Sequence, residues 1–178
     1  HSFPTRRSSD LGLPTLEDHR GLEVREAANH LFALGNQSVF IGDSLPSKAE
    51  LEDLSGLRPD VVELFIELKE KDNITLRLLN ETYTQRQDEA RDVIRASESR
   101  LLLNEDKIKS LNTGDKKYGD ITIDNYNYKR YMGELQILKV NQKGDYRTNV
   151  VASVLQKNIY LLKYIKGGKK FHFNIINN

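Results

Sequence analysis

The chain has 178 residues, 38% hydrophobic and 30% charged, the balance of an ordinary soluble protein long enough for one domain or one domain plus a fragment. The absence of cysteine excludes a disulfide scaffold, thiolate catalysis and any Cys-based zinc site, and fits a reducing compartment. With 27 Lys and Arg against 26 Asp and Glu, the net charge is +1, so no global field favours nucleic acid or an anionic membrane.

The leader His1-Ser-Phe-Pro-Thr-Arg-Arg-Ser-Ser-Asp-Leu11 has no apolar core and no small-residue cleavage site, so it does not read as a signal peptide. Back-translated, it resembles one frame of a common sequencing adapter. Residues 1–11 are therefore expected to be a disordered artefact, with the natural sequence continuing upstream of Gly12. Without the leader, residues 12–178 carry 25 basic and 25 acidic side chains and are formally neutral.

From Leu22 to Leu34, apolar side chains recur three and four apart, as in Ala27, Leu31 and Leu34, which predicts an amphipathic helix. Gly35-Asn36 is a stop signal. Ser38-Val-Phe-Ile41 then reads as a short buried parallel strand. Ser47-Lys-Ala-Glu50 fits a capping box opening a helix to about Gly56. This helix, strand, helix order suggests the end of an α/β domain, doubly wound or a closed barrel. Some 45 residues bury too little surface to be stable alone, so residues 12–58 read as a remnant of a larger domain.

Beyond Pro59 the texture becomes strand-like. Val61–Leu68, Ile74–Leu79, Val93–Ala96, Ile121–Asp124, Glu134–Leu138, Asn149–Val154 and Phe171–Ile175 are predicted strands, several with period-2 alternation. Asn158–Lys166 is expected as a short helix. Residues 59–178 thus read as a compact, mostly antiparallel barrel or sandwich.

The phosphate-loop, His-Glu-x-x-His, Gly-x-Ser-x-Gly and EF-hand patterns are all absent. Lys166-Gly-Gly-Lys-Lys170 reads as a basic turn rather than an anion cradle. The histidines at 1, 19, 30 and 172 show no ligand spacing, so no metal is expected. Arg86, Arg91, Arg95 and Arg100 lie within fifteen residues. Guanidinium forks suit phosphate or carboxylate oxygens, and equally suit neighbouring Asp and Glu. An extended backbone here would put Arg95, Ser97 and Ser99 on one face. Between Gly119 and Gln136, Tyr126, Tyr128 and Tyr131 offer flat rims for a sugar ring, and Asp124, Asn125 and Glu134 offer acceptors; tyrosines so placed also pack. No catalytic carboxylate pair is assigned, because sequence does not give the separation that glycoside chemistry requires.

Several ordered motifs together resemble the bacterial 6-phospho-N-acetylmuramidase family, formerly grouped as "outer surface proteins". They are Gly12-Leu-Pro-Thr-Leu-Glu-Asp-His-Arg20, Val39-Phe-Ile-Gly-Asp43, Val93-Ile-Arg-Ala-Ser-Glu-Ser-Arg100, Gly119-Asp-Ile-Thr-Ile-Asp-Asn125, Tyr128-Lys-Arg-Tyr-Met-Gly-Glu-Leu-Gln136 and Asn149-Val-Val151. The resemblance runs from Gly12 to about Phe173. It implies the C-terminal end of a TIM-like (β/α)8 glycosidase barrel at 12–58, followed by a cyclophilin-like β-barrel at 59–178. It also implies a cytoplasmic hydrolase, with no required cofactor or metal, acting in cell-wall recycling. The expected substrate is 6-phospho-N-acetylmuramyl-N-acetylglucosamine, with no nucleic-acid or membrane partner. Its catalytic carboxylates are expected upstream, so this fragment is expected to be inactive alone. By motif position, Glu17, His19, Arg20, Asp43, Arg95, Arg100, Asp124, Asn125 and Tyr131 are the expected substrate-binding residues. The alternative is a non-catalytic β-barrel module that binds a phosphosugar or peptide. A prolyl-isomerase reading rests on fold likeness alone.

Overall fold

The computed structural model describes residues 2–3, 15–42, 45–103 and 106–176. The chain divides into two compact units, 1–62 and 63–178.

In the first unit, the α-helix α1 (Val24–Ala33) follows a 3-10 turn at Glu17–His19, and α2 (Lys48–Ser55) follows the strand β2 (Phe40–Ile41). One face of α1, formed by Val24, Ala27, Ala28, Leu31 and Phe32, is buried against Leu16, Leu22, Val39, Ile41, Leu54 and Leu57. The predicted capping box is present. The Glu50 amide donates to Ser47 Oγ at 3.2 Å, and the Ser47 amide donates back to the Glu50 carboxylate at 2.8 Å. Gly35 takes φ +97°, the left-handed conformation that lets the chain leave α1. Within the leader, β1 (Ser2–Phe3) pairs in parallel with β2, Ser2 opposite Phe40 and Phe3 opposite Ile41. Such pairing uses backbone groups alone and is indifferent to the origin of the side chains. The rest of the leader lies outside the described residues.

The second unit is built on a seven-stranded sheet of β3 (Val61–Leu68), β4 (Thr82–Thr84), β5 (Val93–Arg95), β6 (Asp120–Asp124), β7 (Leu135–Leu138), β8 (Thr148–Val154) and β9 (Lys170–Ile175). The strand order is β4-β9-β3-β8-β6-β7-β5, and every register defined in it is antiparallel. The sheet curls until its two edges meet. Just beyond β4 and β5, Gln85 and Ala96 form an isolated antiparallel bridge. The amides of Arg86 and Ser97 donate to the carbonyls of Arg95 and Thr84 at 3.1 and 3.0 Å. This seam satisfies edge groups that would otherwise be exposed for pairing with another chain.

The protein is thus mixed α/β, with an all-β sheet in the second unit. Its core includes Leu64, Ile66, Ile94, Ile121, Ile123, Leu135 and Ile137, all at most 1% exposed. At one end Tyr83, Phe171 and Phe173 pack with ring centroids 5.6–6.4 Å apart. The Tyr83 hydroxyl donates to the Leu78 carbonyl at 2.6 Å, and burial raises its pKa. At another point, Asp120 accepts from Lys69 Nζ and Ser153 Oγ at 2.7 and 2.6 Å. Burial, which would raise its pKa, is outweighed by these bonds, so the carboxyl is held below its ordinary range.

One predicted strand is a helix. Ile74–Leu79 lies in α3 (Asn73–Leu79), because the Asp72 carboxylate accepts from the Ile74 and Thr75 amides at 3.1 and 3.0 Å and caps the first turn. The expected helix near Asn158–Lys166 is a 3-10 segment, Gln156–Tyr164. The chain from Arg95 to Ser99 is not extended. It leaves β5 and enters a 3-10 turn at Ser99–Leu103, so Ser97 is exposed while Ser99 is fully buried.

Candidate functional site

A cavity of about 230 Å³ opens where the sheet closes, lined by Arg86, Ala96, Ser97, Arg100, Leu101 and Glu134. Its place follows from the seam, because Arg86 and Ser97 flank the Gln85–Ala96 bridge. Arg100 comes from the 3-10 turn immediately after it. Two contacts hold that turn. The Leu135 amide donates to the buried Ser99 Oγ at 3.0 Å, and Gly133, at φ +85°, lies so close that a Cβ there would stand 2.0 Å from Leu103 Cδ1. Glu134 enters from the start of β7, 8% exposed.

The arginines of this region divide into two kinds. Arg86 forks onto the Asp88 carboxylate through Nε and Nη2, both at 3.0 Å. Arg91 forks onto Asp92 at 2.8 and 2.9 Å. Arg95 Nη2 donates to the Asp88 carbonyl and carboxylate at 2.7 and 2.8 Å. These three pair with nearby acids, the arrangement that surface arginines commonly adopt. Arg100 differs: its nearest carboxylate oxygen, Glu134 Oε2, is 3.9 Å from Nη1, outside hydrogen-bond range. Its guanidinium instead lies 5.6 Å from the centroid of the Tyr131 ring, which also packs edge-on against Tyr128 and takes Arg130 on its face at 4.9 Å. Glu134 Oε1 accepts from Gln136 Nε2 at 3.1 Å.

Asp124 ends β6 and Asn125 follows it, both buried. Asp124 is 5% exposed and accepts from Thr148 Oγ1 at 2.9 Å. Burial pushes its pKa up to about 7, opposed by the Thr148 bond and assisted by the charges of Glu134 and Asp145. Its backbone exchanges hydrogen bonds with the Gly133–Glu134 turn, the Gly133 amide donating to the Asp124 carbonyl at 2.8 Å and the Asp124 amide to the Glu134 carbonyl at 3.1 Å. Asn125 is fully buried. Its amide donates to Asn149 Oδ1 and the Tyr146 carbonyl at 2.8 and 2.9 Å, and its Oδ1 accepts from the Asn127 amide. Tyr126–Tyr131 is a 3-10 segment rather than a plain hairpin loop. Arg147, forked onto Asp145, lies over Tyr128 at 4.5 Å.

In the first unit, the 3-10 turn groups Glu17, His19 and Arg20. Arg20 Nε and Nη2 reach Glu17 at 2.5 and 3.0 Å, and this hydrogen bond holds the Glu17 carboxyl below its usual range. His19 is buried, with Nε2 3.0 Å from Nδ1 of His30 on α1. Burial first, then the neighbouring His30, pushes its pKa down to about 4, so His19 is neutral at pH 7. Asp43 lies outside the described residues.

Among the described residues, no group of three or more His, Asp or Glu is placed to hold a metal ion, and no helix is long and apolar enough to cross a membrane. The Lys166–Lys170 turn is closed as an anion cradle: the Gly167 amide donates to Glu89 Oε1 at 2.8 Å and the Gly168 amide to the Gln85 carbonyl at 2.9 Å.

Of the expected site residues, Arg100 lines the cavity and Tyr131 lies against its guanidinium; Asp124 is joined to the lining through backbone bonds to the Gly133–Glu134 turn, whereas Arg95 pairs with Asp88 and Asn125 with Asn149 and Tyr146. Sequence singled out Arg86, Ser97 and Glu134 without placing them in one site, because only the seam between two short strands makes them neighbours.

Two adjacent family models match in order: "6-phospho-N-acetylmuramidase, N-terminal" over residues 3–56 and "6-phospho-N-acetylmuramidase, C-terminal" over residues 62–174. Among solved structures, an uncharacterized Bacillus cereus protein is similar at 28% identity and TM-score 0.83, over 98% of this chain and 50% of its own. A conserved Enterococcus faecalis protein of unknown function is 32% identical at TM-score 0.63, over 92% of this chain and 44% of its own. The chain thus spans about half the length of these two solved proteins. No curated protein matches. The C-terminal model alone covers more than half of the sequence, and the chain belongs to the 6-phospho-N-acetylmuramidase family.

Proposed function

We propose that this chain is the substrate-holding C-terminal portion of a cytoplasmic glycoside hydrolase that cleaves 6-phospho-N-acetylmuramyl-N-acetylglucosamine during cell-wall recycling. The ordered match to the N-terminal and then the C-terminal family model carries this reading. On this view residues 12–58 are the last elements of a TIM-like barrel and residues 59–178 a cyclophilin-like β-barrel. Glycoside cleavage needs one carboxyl group as acid and a second as base or nucleophile, on opposite sides of the scissile bond. In this proposal both stand on earlier barrel strands outside this sequence.

The residues present bind and orient. By motif position, Glu17, His19, Arg20 and Asp43 in the first unit and Arg95, Arg100, Asp124, Asn125 and Tyr131 in the second are the substrate-binding residues of this reading. The direct test is release of N-acetylglucosamine from the phosphorylated disaccharide. A chain extended upstream through the whole barrel is expected to release it, and the 178-residue chain to release none above background. Activity in the short chain would overturn the assignment of the reactive acids.

The second reading, a non-catalytic phosphosugar-binding module, is favoured by one observation: the cavity is lined entirely by residues of the second unit. A stop codon directly upstream of Gly12 in the gene would support it over the hydrolase.

A further inference from the structure

We infer that the second unit carries an aromatic and basic face that docks the acidic helix α2 of a second copy of this chain, closing a symmetric dimer. The inference goes beyond the proposed hydrolysis, and its test alters none of the residues assigned to the sugar.

Charge is divided unevenly along the sequence. Residues 1–62 hold 6 basic and 10 acidic side chains, a net −4, whereas residues 63–178 hold 21 and 16, a net +5. A chain that is nearly neutral as a whole therefore consists of two oppositely charged units, and opposite fields of this kind steer one copy toward another.

The basic side is localised. The 3-10 segment Tyr126–Tyr131 runs beside two other pieces of chain: the Tyr126 amide donates to the Ile108 carbonyl at 2.9 Å and the Asn125 amide to the Arg147 carbonyl at 2.8 Å. Lys107 lies over Tyr126 at 4.7 Å, and Arg147 over Tyr128 and Tyr146 at 4.5 and 5.8 Å. Asp145 is forked by Arg147, so these two charges cancel. Asp106, next to Lys107, is held by Arg77. Lys107, Lys129 and Arg130, all exposed, supply the positive excess. Tyr126 and Tyr146 are 42% and 67% exposed, and tyrosine with arginine is the composition that protein interfaces favour. Lys129 stands at φ 51°, in the left-handed region that favours glycine. Strain of this kind is retained mainly where a segment serves recognition.

The acidic side has the complementary character. No residue of α2 is buried. Leu51, 52% exposed, is followed by the exposed Glu52 and Asp53, and Leu45 before the helix is 95% exposed. Glu52 meets Lys48 at 3.4 Å, but both side chains are open to water, where such a pair holds weakly. The leucines suit the tyrosine rings, and Glu52 and Asp53 suit Lys107 and Lys129. A foreign acidic partner would match the second unit and leave the first unmatched. A second copy matches both, in two equivalent contacts about a two-fold axis that leave no open end.

Sedimentation of the 178-residue chain over a concentration series tests this. A monomer–dimer equilibrium is expected, weakening at least about 10-fold as salt rises from about 50 to 500 mM. Lys107→Glu with Lys129→Glu, and separately Glu52→Lys with Asp53→Lys, are each expected to stay monomeric while keeping the wild-type amide spectrum. Mixed in equal amounts, the two variants are expected to dimerise again, because reversed surface meets reversed surface and native meets native.

A wild-type chain still monomeric at about 1 mM, or a dimer that salt does not weaken, would overturn the proposal. So would either folded variant dimerising alone, or a mixture of the two that stays monomeric. A monomeric chain that instead binds an acidic peptide at Lys107 and Tyr126 would also overturn it, assigning the face to another partner. None of these outcomes bears on whether the extended enzyme cleaves the disaccharide.

Discussion

Asp124 shows how burial, rather than contact with solvent, defines a residue's contribution. Its pKa, raised by burial from 3.8 to about 7, makes the folded state hold a proton that the unfolded chain has already released. Stability is then fullest below about pH 4 and falls as pH rises toward 7. At about 1.4 kcal/mol per pH unit, the effect is bounded at about 4 kcal/mol. Asp124→Asn keeps an acceptor for Thr148 and removes the charge. Urea denaturation at pH 5 and pH 8 is expected to show the wild type losing stability across that interval and the variant losing less; equal slopes would remove Asp124 as the cause. His19 has the opposite sign. With a folded pKa near 4, against an ordinary 6.5, its contribution is complete above about pH 6.5 and is lost as pH falls toward 4. Amide exchange along α1 is expected to accelerate between pH 7 and pH 5 beyond its intrinsic pH trend, and His19→Gln to flatten that change.

At the scale of elements, the turn carrying Arg100 depends on a glycine. Gly133→Ala forces a left-handed alanine and drives its Cβ into Leu103, at a cost of about 1–3 kcal/mol. Both thermal stability and binding of the phosphorylated disaccharide are expected to fall, whereas Ser47→Ala, which removes the α2 capping box, is expected to cost about 1 kcal/mol and leave sugar binding unchanged. A Gly133→Ala chain with unaltered binding would show that the turn is held by other contacts. This scale also shows where the sequence was legible. Strands β3 and β5 through β9 follow from short apolar runs, several of them alternating, and α2 from its cap, because one local pattern determines each. The run Ile74-Thr-Leu-Arg-Leu78 also alternates, yet the Asp72 side chain decides for helix. Three-residue β4 carries too little pattern to be read, although with β5 it forms the seam around the cavity. Arg100 and Tyr131 were singled out by motif position, while Glu134 comes beside Arg100 only through the register of β7 against β5 and β6.

For the whole molecule, the two units have different standing. The second has its own continuous core and a sheet whose edges meet. The first buries one face of α1 but leaves Leu34, Phe40, Leu45 and Leu51 between 45% and 95% exposed, a large apolar surface for so few residues. Residues 12–56 in isolation are accordingly expected to aggregate or remain loosely structured, with poor dispersion of their amide NMR signals; a monomeric, cooperatively melting peptide would contradict this. The proposed function is that this sequence binds a phosphorylated amino sugar without carrying the acids that cleave it. The most direct measurement incubates the 178-residue chain with 6-phospho-N-acetylmuramyl-N-acetylglucosamine and follows protein and sugar signals together by NMR. Saturable shifts at Arg100 and Tyr131 with the disaccharide left intact are predicted. Release of N-acetylglucosamine above the uncatalysed rate, or no shift at saturating sugar, would contradict the account.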